Sequence, residues 1–405
     1  LGYNISEESF FEPLRKVITS MKLRGSWGLV GNDQIGGERF IYMPTINLSG
    51  KGFTTGIDQN YGLSGPVYTR YENNSITWEV GEKINLGIDL QLLNSLNIDV
   101  DIFRETRRDI FQKKGTIPTY LGTGNTDVFG NLAEMKNQGL DLSIDYNKAF
   151  SKDFYMNFKG TFTYAHNEIT KYDEAPKYAF QSKVGQSANV SQGYLSNGLF
   201  LDEAEIDRYN QQMGSTLGAG DIKYLNVSNM HGYGDDIVDV DDWTWIGNPT
   251  VPEIVYGFGP SFKYKNWDFS FFFQGVAKTS LFMSGFHPFG DNSLRNVLQF
   301  VANDRLSTTN QNVDAKYPRL TRKTSLNNTN PGNSGRTSDY WMRDGSFLKL
   351  KNMELGYTFK RMRFYINLLT FSKFDLWDPE QGGGGGLKYP TQRVFNVGFQ
   401  MTFNN

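Results

Sequence analysis

The chain has 405 residues, 41 Lys+Arg against 43 Asp+Glu, a formal net charge of -2, no cysteine, and 15% aromatic residues beside 43 glycines. So balanced a charge leaves no electrostatic footprint for nucleic acid and no polybasic patch for a lipid surface. The lack of cysteine excludes disulfide scaffolds, thiolate metal sites and cysteine nucleophiles, and three histidines (His166, His231, His287) leave little material for imidazole chemistry.

Mean hydropathy is -0.49. No run of about 18 apolar residues exists, which excludes helical membrane spans. Transmembrane barrels escape that test, because their strands alternate lipid-facing apolar with lumen-facing polar residues. Two classes stay open: a large soluble β protein and an outer-membrane barrel. The opening LGYNISEESFFEPL lacks a charged n-region followed by an apolar h-region, so a processed or internal start is expected.

In chain order, 8–21 predicts a short helix with Pro13 in its first turns, and Leu23, Gly25, Trp27 and Leu29 mark a strand at 20–30. Ile84, Leu86, Ile88, Leu90 and Leu92 then share one face against Asn85, Gly87, Asp89 and Gln91. That is period two over a length near the roughly 9–11 residues a membrane-crossing strand needs. After a turn at Asn94-Ser95 the pattern resumes as Leu96, Ile98, Val100 and Ile102 against Asn97, Asp99 and Asp101. Leu140, Leu142, Ile144 and Tyr146 repeat it, and AFSKD leads into Phe154, Met156, Phe158, Phe162 and Tyr164. Tyr256, Phe258, Phe262 and Tyr264 pass through Lys265-Asn266 to Trp267, Phe269, Phe271 and Phe273. Leu348 and Leu350 differ in parity from Met353, Leu355, Tyr357 and Phe359, so a bulge is predicted near Lys351-Asn352.

These patterns predict about ten strands, at 20–30, 77–93, 96–112, 136–149, 153–169, 253–265, 267–282, 340–359, 361–373 and 391–403. Their connections alternate short and long, the long ones being 31–76, 113–135, 170–252 and 283–339. Outer-membrane barrels have short periplasmic turns and long outer loops, whereas a soluble sandwich has no reason to gather its long connections at one end. Aromatic residues near strand ends (Trp78, Tyr146, Phe154, Tyr164, Tyr264, Trp267, Tyr357, Phe359, Phe403) match the interfacial girdles of such barrels. The favoured fold class is therefore all-β, a transmembrane antiparallel β-barrel with long outer loops.

Within the loops, 203–213 and 293–303 have helical character. Tyr194, Phe200, Tyr224, Tyr233, Trp243 and Trp245 lie among many Asn and Gly residues. Such aromatics are candidates for contacting a sugar or peptide, and packing their own loop is the alternative role. The inward polar set Asn85, Asp89, Gln91, Asp99, Asp101, Asp141, Asp145 and Lys159 would line a hydrated path or meet a plug.

Several strings together resemble one family. ITWEVGEKINLGIDLQLLNSLNIDVDIFRETRRDIF (76–111), NQGLDLSIDY (137–146), IGNPTVPEIVYGFG (246–259), SDYWMRDGSFLKLKNMELGYTF (338–359) and LLTFSKFDLWDPEQGGGGGLKYPTQRVFNVGFQMTF (368–403) are similar to the C-terminal barrel region of SusC/RagA TonB-dependent outer-membrane transporters. The resemblance extends to LRGSWGLVGND (23–33) and covers most of the chain. It implies a barrel of about 22 strands around a plug. Residues 1–405 would then be its C-terminal part, with the signal peptide, plug and TonB box outside the chain.

The resemblance also implies active import of a glycan or oligopeptide through the outer membrane of a Bacteroidota-like Gram-negative bacterium. The implied partners are a SusD-like surface lipoprotein and TonB, with no cofactor. The alternatives are a passive porin, or a soluble β-rich carbohydrate-binding or structural protein. The terminal strand residues Phe395, Val397, Phe399, Met401 and Phe403 resemble the barrel-assembly signal, here followed by Asn404-Asn405.

Two stretches depart from the family pattern. The segment 359–371 is shorter, and the acidic loop before IGNP has lost its Asp-x-Asn-x-Asp-Gly spacing. Asp235, Asp236, Asp239, Asp241 and Asp242 still offer hard oxygen ligands of the kind Ca²⁺ takes, and a solvated acidic turn is the plain alternative. WDPE (377–380) offers carboxylates, but glycoside hydrolysis needs two converging at about 5–10 Å with one raised pKa, so no enzyme is expected. GGGGG (382–386) lacks the strand-to-helix context of a phosphate cradle and is read as a flexible loop.

Overall fold

The computed structural model describes residues 1–34, 39–118, 127–209, 211–212, 217–283, 299–307, 309, 311–320, 327–328, 337–371, 377–384 and 388–403. Eleven strands form one antiparallel sheet in which every neighbour in space is the neighbour in sequence. They are β1 (Gly2–Asn4), β2 (Ile18–Asn32), β3 (Glu79–Leu92), β4 (Leu96–Lys113), β5 (Phe129–Ala149), β6 (Phe154–Lys171), β7 (Ile254–Tyr264), β8 (Trp267–Ala277), β9 (Phe347–Phe359), β10 (Met362–Phe371) and β11 (Val394–Met401). Ten coincide with predicted strands, and the eleventh is the short β1, paired to Lys22–Arg24 of β2.

Register explains the alternation. Gly25, Leu86, Ile102, Leu140, Tyr164 and Ile254 form one continuous cross-strand row, and Leu23, Ile88, Val100, Leu142, Phe162 and Tyr256 form the next. Between them runs a row of the opposite parity, Arg24, Gly87, Asp101, Asp141 and Thr163. One face is thus apolar across the sheet and the other polar. The apolar face is not covered: Leu86 is 63% exposed, Ile102 59%, Ile366 56% and Val397 85%. A soluble sandwich would bury this face against a second layer, whereas lipid covers it in a barrel.

The short turns, at 93–95, 150–153, 265–266 and 360–361, all fall at one end of the sheet. Leu93, Asn94, Lys265 and Lys360 adopt left-handed backbone there, which closes the hairpins tightly. The predicted bulge is present: Phe272 pairs with Asn352 and Phe273 with Leu350, leaving Lys351 as the extra residue. A second bulge lies between Arg107 and Ile110 of β4, with Asp109 in left-handed backbone.

The structure corrects several boundaries. Only Ser9–Leu14 of the predicted 8–21 helix is helical, as a 3-10 turn, because Ile18–Met21 pair with β3 instead. Loop 31–76 contains a hairpin, Thr45–Thr55 with Tyr61–Arg70. The predicted strands 267–282 and 340–359 each break, and Ser280–Phe282 pairs with Met342–Asp344 as a separate two-stranded sheet. In the predicted helical segments, Glu203–Arg208 and Gln299–Asn303 are helices, while Gln211–Gln212 is a strand and 293–298 lies outside the described residues.

The hydrophobic core does not lie in the sheet. It lies in the long loops, where Tyr194, Leu199, Ile222, Tyr224, Val238, Met283, Val301, Leu306, Tyr317 and Trp341 form one buried cluster. A barrel wall spends its apolar face on lipid and its polar face on the lumen, so only the outer loops are left to bury side chains against each other.

Candidate functional site

The polar inner wall carries two guanidinium clamps. Arg24 on β2 reaches across β3, donating from Nε to Asp89 Oδ1 (2.8 Å) and from its two terminal nitrogens to Asp101 Oδ1 and Oδ2 on β4 (2.9 and 2.8 Å). Gly87 makes the crossing feasible: a Cβ there would meet Asp101 Oδ1 at 2.5 Å and Arg24 Cζ at 2.8 Å. Arg363 on β10 repeats the device across Gly356, pairing with Asp268 on β8 and Glu354 on β9. Charge-assisted bidentate bonds of this kind fix geometry as well as energy.

The other predicted inner residues join the same wall. Asp141 Oδ1 accepts from the Thr163 hydroxyl (2.7 Å), Gln91 Nε2 donates to Asn97 Oδ1 (3.1 Å), and Lys159 lies 3.7 Å from Asp145. These partners satisfy much of the polar wall internally while leaving it partly exposed to the lumen.

At the long-loop end, the aromatic candidates separate. Phe200 and Tyr224 are fully buried and Tyr194 nearly so, which makes them core residues of the loop body rather than surface contacts. Trp243 is half-buried with its ring edge-on to Tyr194 (6.0 Å), and Trp245 donates Nε1 to the Ser182 carbonyl (2.8 Å). Tyr233 is exposed, at the end of a ring column running through Tyr178 (4.2 Å) and Phe180 to His231. The stacking of Phe180 on His231 joins residues about fifty positions apart, and nothing local in the sequence signals it.

A polar bracket secures the loop body. Arg319 donates to both oxygens of the fully buried Asp221 (2.6 and 2.9 Å), and Asn328 adds a further bond to Oδ1 (2.6 Å). The bond to Asp221 raises the Arg319 pKa despite burial, so the guanidinium stays charged. Gln212 and Asn327 tie in the Tyr224 backbone and hydroxyl. Among the described residues, four buried donors have no acceptor: Trp243 Nε1, Ser338 Oγ, the Tyr340 hydroxyl and Trp341 Nε1. Burial pushes the Tyr340 phenol well above its ordinary range.

The acidic loop divides into braces and donors. Asp242 is fully buried and accepts the Ser228 and Asp239 amides (2.9 and 2.8 Å); burial raises its carboxyl despite those bonds. Asp236 accepts from the Asn229 side-chain amide at 3.5 Å. Asp235, Asp239 and Asp241 converge, each offering one oxygen within 4.8 Å of the others. Three hard oxygens on half-buried carboxylates fit a divalent cation in type. Against that, the Lys177 ammonium already pairs with Asp241, and Asp235 accepts from Asn226, Ser228 and the Ile237 amide. Asp242 and Asp236 therefore leave the candidate ligand set.

The comparisons with known proteins agree with this architecture. Residues 39–248 match the TonB dependent receptor-like, beta-barrel family. The chain is similar to TonB-dependent receptor P3 of Formosa agariphila, with 24% identity over 443 residues covering 100% of this chain and 41% of the relative. It is likewise similar to TonB-dependent receptor SusC of Bacteroides thetaiotaomicron, with 26% identity covering 100% of this chain and 39% of the relative. Among solved structures, the RagAB peptide transporter superposes with a TM-score of 0.67 at 21% identity, covering 99% of this chain and 43% of that one. The chain thus spans about two fifths of the length of the curated relatives it matches. Those relatives are named as TonB-dependent receptors and as a peptide transporter. An open eleven-stranded sheet with a bare apolar face, a polar clamped wall and one end of packed loops is the geometry of an outer-membrane receptor wall, and this chain belongs to the TonB-dependent receptor-like β-barrel family.

Proposed function

We propose that this chain forms part of the wall and mouth of an energy-coupled importer in the outer membrane of a Bacteroidota-like bacterium. The observation that carries the reading is the pairing of a continuous apolar outer face with a polar inner wall in a chain of this family. The cargo would be a glycan or oligopeptide, captured with a SusD-like surface lipoprotein above the loop body. TonB would act on another part of the full-length protein. The domain assignment, as the C-terminal part of the barrel, belongs to the same proposal. So does an assembly role for the apolar residues of the last strand, Phe395, Val397, Phe399 and Met401, with Phe403 beyond it; all five are exposed.

Deleting the gene in its native host is expected to abolish growth on one glycan or peptide mixture, and loss of TonB should have the same effect. Co-purification of a surface lipoprotein in detergent is expected as well. A full-length protein that purifies as a soluble monomer without detergent would sink the reading.

Asp235, Asp239 and Asp241 would hold a calcium ion if Lys177 swings away from Asp241, and the ion would then pin the acidic loop to the loop body. With an affinity in the roughly 10⁻⁴–10⁻³ M range of exposed modules, Ca²⁺ at about ten times its Kd should stabilise the loop by about 1.4 kcal/mol. Thermal unfolding of the full-length protein with and without Ca²⁺ checks this. Asp239→Asn should lose the shift and Lys177→Met should enlarge it; no shift in either background overturns the assignment.

A further inference from the structure

We propose that Trp377–Gly384 is a strap that fastens the mouth loops to the barrel wall, with Lys349 as its positioning residue; the proposal rests on the reading of the long-loop end as the outer mouth. WDPE supplies two carboxylates, and the structure places both on one ammonium. Lys349 Nζ donates to Asp378 Oδ2 (2.6 Å) and Glu380 Oε2 (2.5 Å), while Lys351 Nζ donates to Glu380 Oε1 (2.6 Å). Lys349 is fully buried and the Asp378 side chain is 7% exposed, so this is an interior ion cluster rather than a surface pair. Although burial opposes ionisation, the lysines hold both carboxyls below their ordinary range.

The bulge in β9 is what aims the cluster. Lys349 and Glu354 are five residues apart and would face opposite sides of a regular strand. The extra residue at Lys351 restores a common inner face, so Lys349 meets the strap while Glu354 meets Arg363.

The strap has two further anchors. Trp377 packs against the loop-body core and donates Nε1 to the Gly382 carbonyl (2.9 Å). The Gly384 amide donates to the Phe282 carbonyl (2.8 Å), and at Gly383 a Cβ would meet that same oxygen at 2.7 Å, so a side chain there would push the strap off the 280–282 strand. Asp378 also caps its own turn, accepting the Glu380 amide (3.1 Å) with Pro379 at the first helical position. One segment following β10 thus joins three bodies: the inner face of β9, the two-stranded sheet of 280–282 and 342–344, and the loop core. Removing Lys349 would leave Asp378 buried with no cation, which a desolvated carboxylate does not tolerate in place.

The test is limited trypsinolysis of intact cells carrying the full-length protein in the outer membrane, scored at Lys388, which is exposed just beyond the strap. Because cleavage follows the population of the open segment, Lys349→Met should raise the rate at Lys388 about tenfold. Cleavage at Arg208, on the exposed side of the loop body, should not change, and the barrel should stay heat-modifiable in electrophoresis. Lys349→Arg should restore protection. If Lys349→Met fails to insert, Lys349→Met combined with Asp378→Asn and Glu380→Gln removes the cation together with both carboxylates and so provides the same release without an orphan charge. An unchanged rate at Lys388 in an inserted variant overturns the strap, as does an equal increase at Arg208. A heat-modifiable wild-type barrel cut only after cell lysis would instead overturn the outward reading of the mouth, and the Lys388 comparison is then made on the lysate.

Discussion

Leu86→Arg is expected to destabilise the folded barrel by about 2–4 kcal/mol, the cost of a cation on the lipid face near mid-depth. Leu86 lies in the middle of β3, 63% exposed, in a cross-strand row with Ile102 and Leu140. On a water-facing surface the same change would stay within about 0.5 kcal/mol. The size of the effect therefore reports the solvent. The adjacent inner change, Asn85→Arg, places the same charge in the lumen and should cost little. Equilibrium unfolding of both variants in lipid vesicles makes the comparison, and equal losses would falsify the assignment of the two faces.

Trp341→Ala should cost about 3–5 kcal/mol of loop-body stability, the range for deleting a large buried aromatic. Trp341 is fully buried in the loop cluster and its Nε1 has no acceptor among the described residues, so the loss comes from packing. Trp341→Phe keeps most of the volume and removes the orphan donor. It should stay within about 1 kcal/mol of wild type, because an unmet buried donor itself costs roughly 1–3 kcal/mol. Hydrogen exchange separates the loop body from the wall: in Trp341→Ala, protection should fall at 191–199, 222–246 and 337–344 and persist through 84–104. Loss of protection in the sheet as well would show that loop core and wall unfold as one unit.

The wall was legible in the sequence because lipid and lumen impose period two over many residues, and even the break of parity at Lys351 could be read as a bulge. The hairpin of 45–55 and 61–70 was not legible, since three register shifts and several glycines interrupt its alternation. The predicted strand 340–359 ran too far because Asp339–Trp341 form a 3-10 turn and Met342–Asp344, though extended, pair with Ser280–Phe282 instead of the wall. Which loop aromatics are buried depends on pairings the chain makes at long range: Tyr194 and Tyr224 are sealed in by Trp341 and Asn327. The same holds for WDPE. Its carboxylates were visible, but their partner depended on which way a bulge turns one lysine.

The location of the hydrophobic core in the loops sets an order of assembly. Four strand pairs of the wall close through the short turns at 93–95, 150–153, 265–266 and 360–361, so each of these hairpins can form with little loop-closure entropy. The loop core instead needs contacts such as Ser196 with Asp339 and Gln212 with Asn327, which span 143 and 115 residues. The tight hairpins of the wall are therefore expected to form ahead of the loop core, so that the outer surface of this protein matures after the strands that carry it.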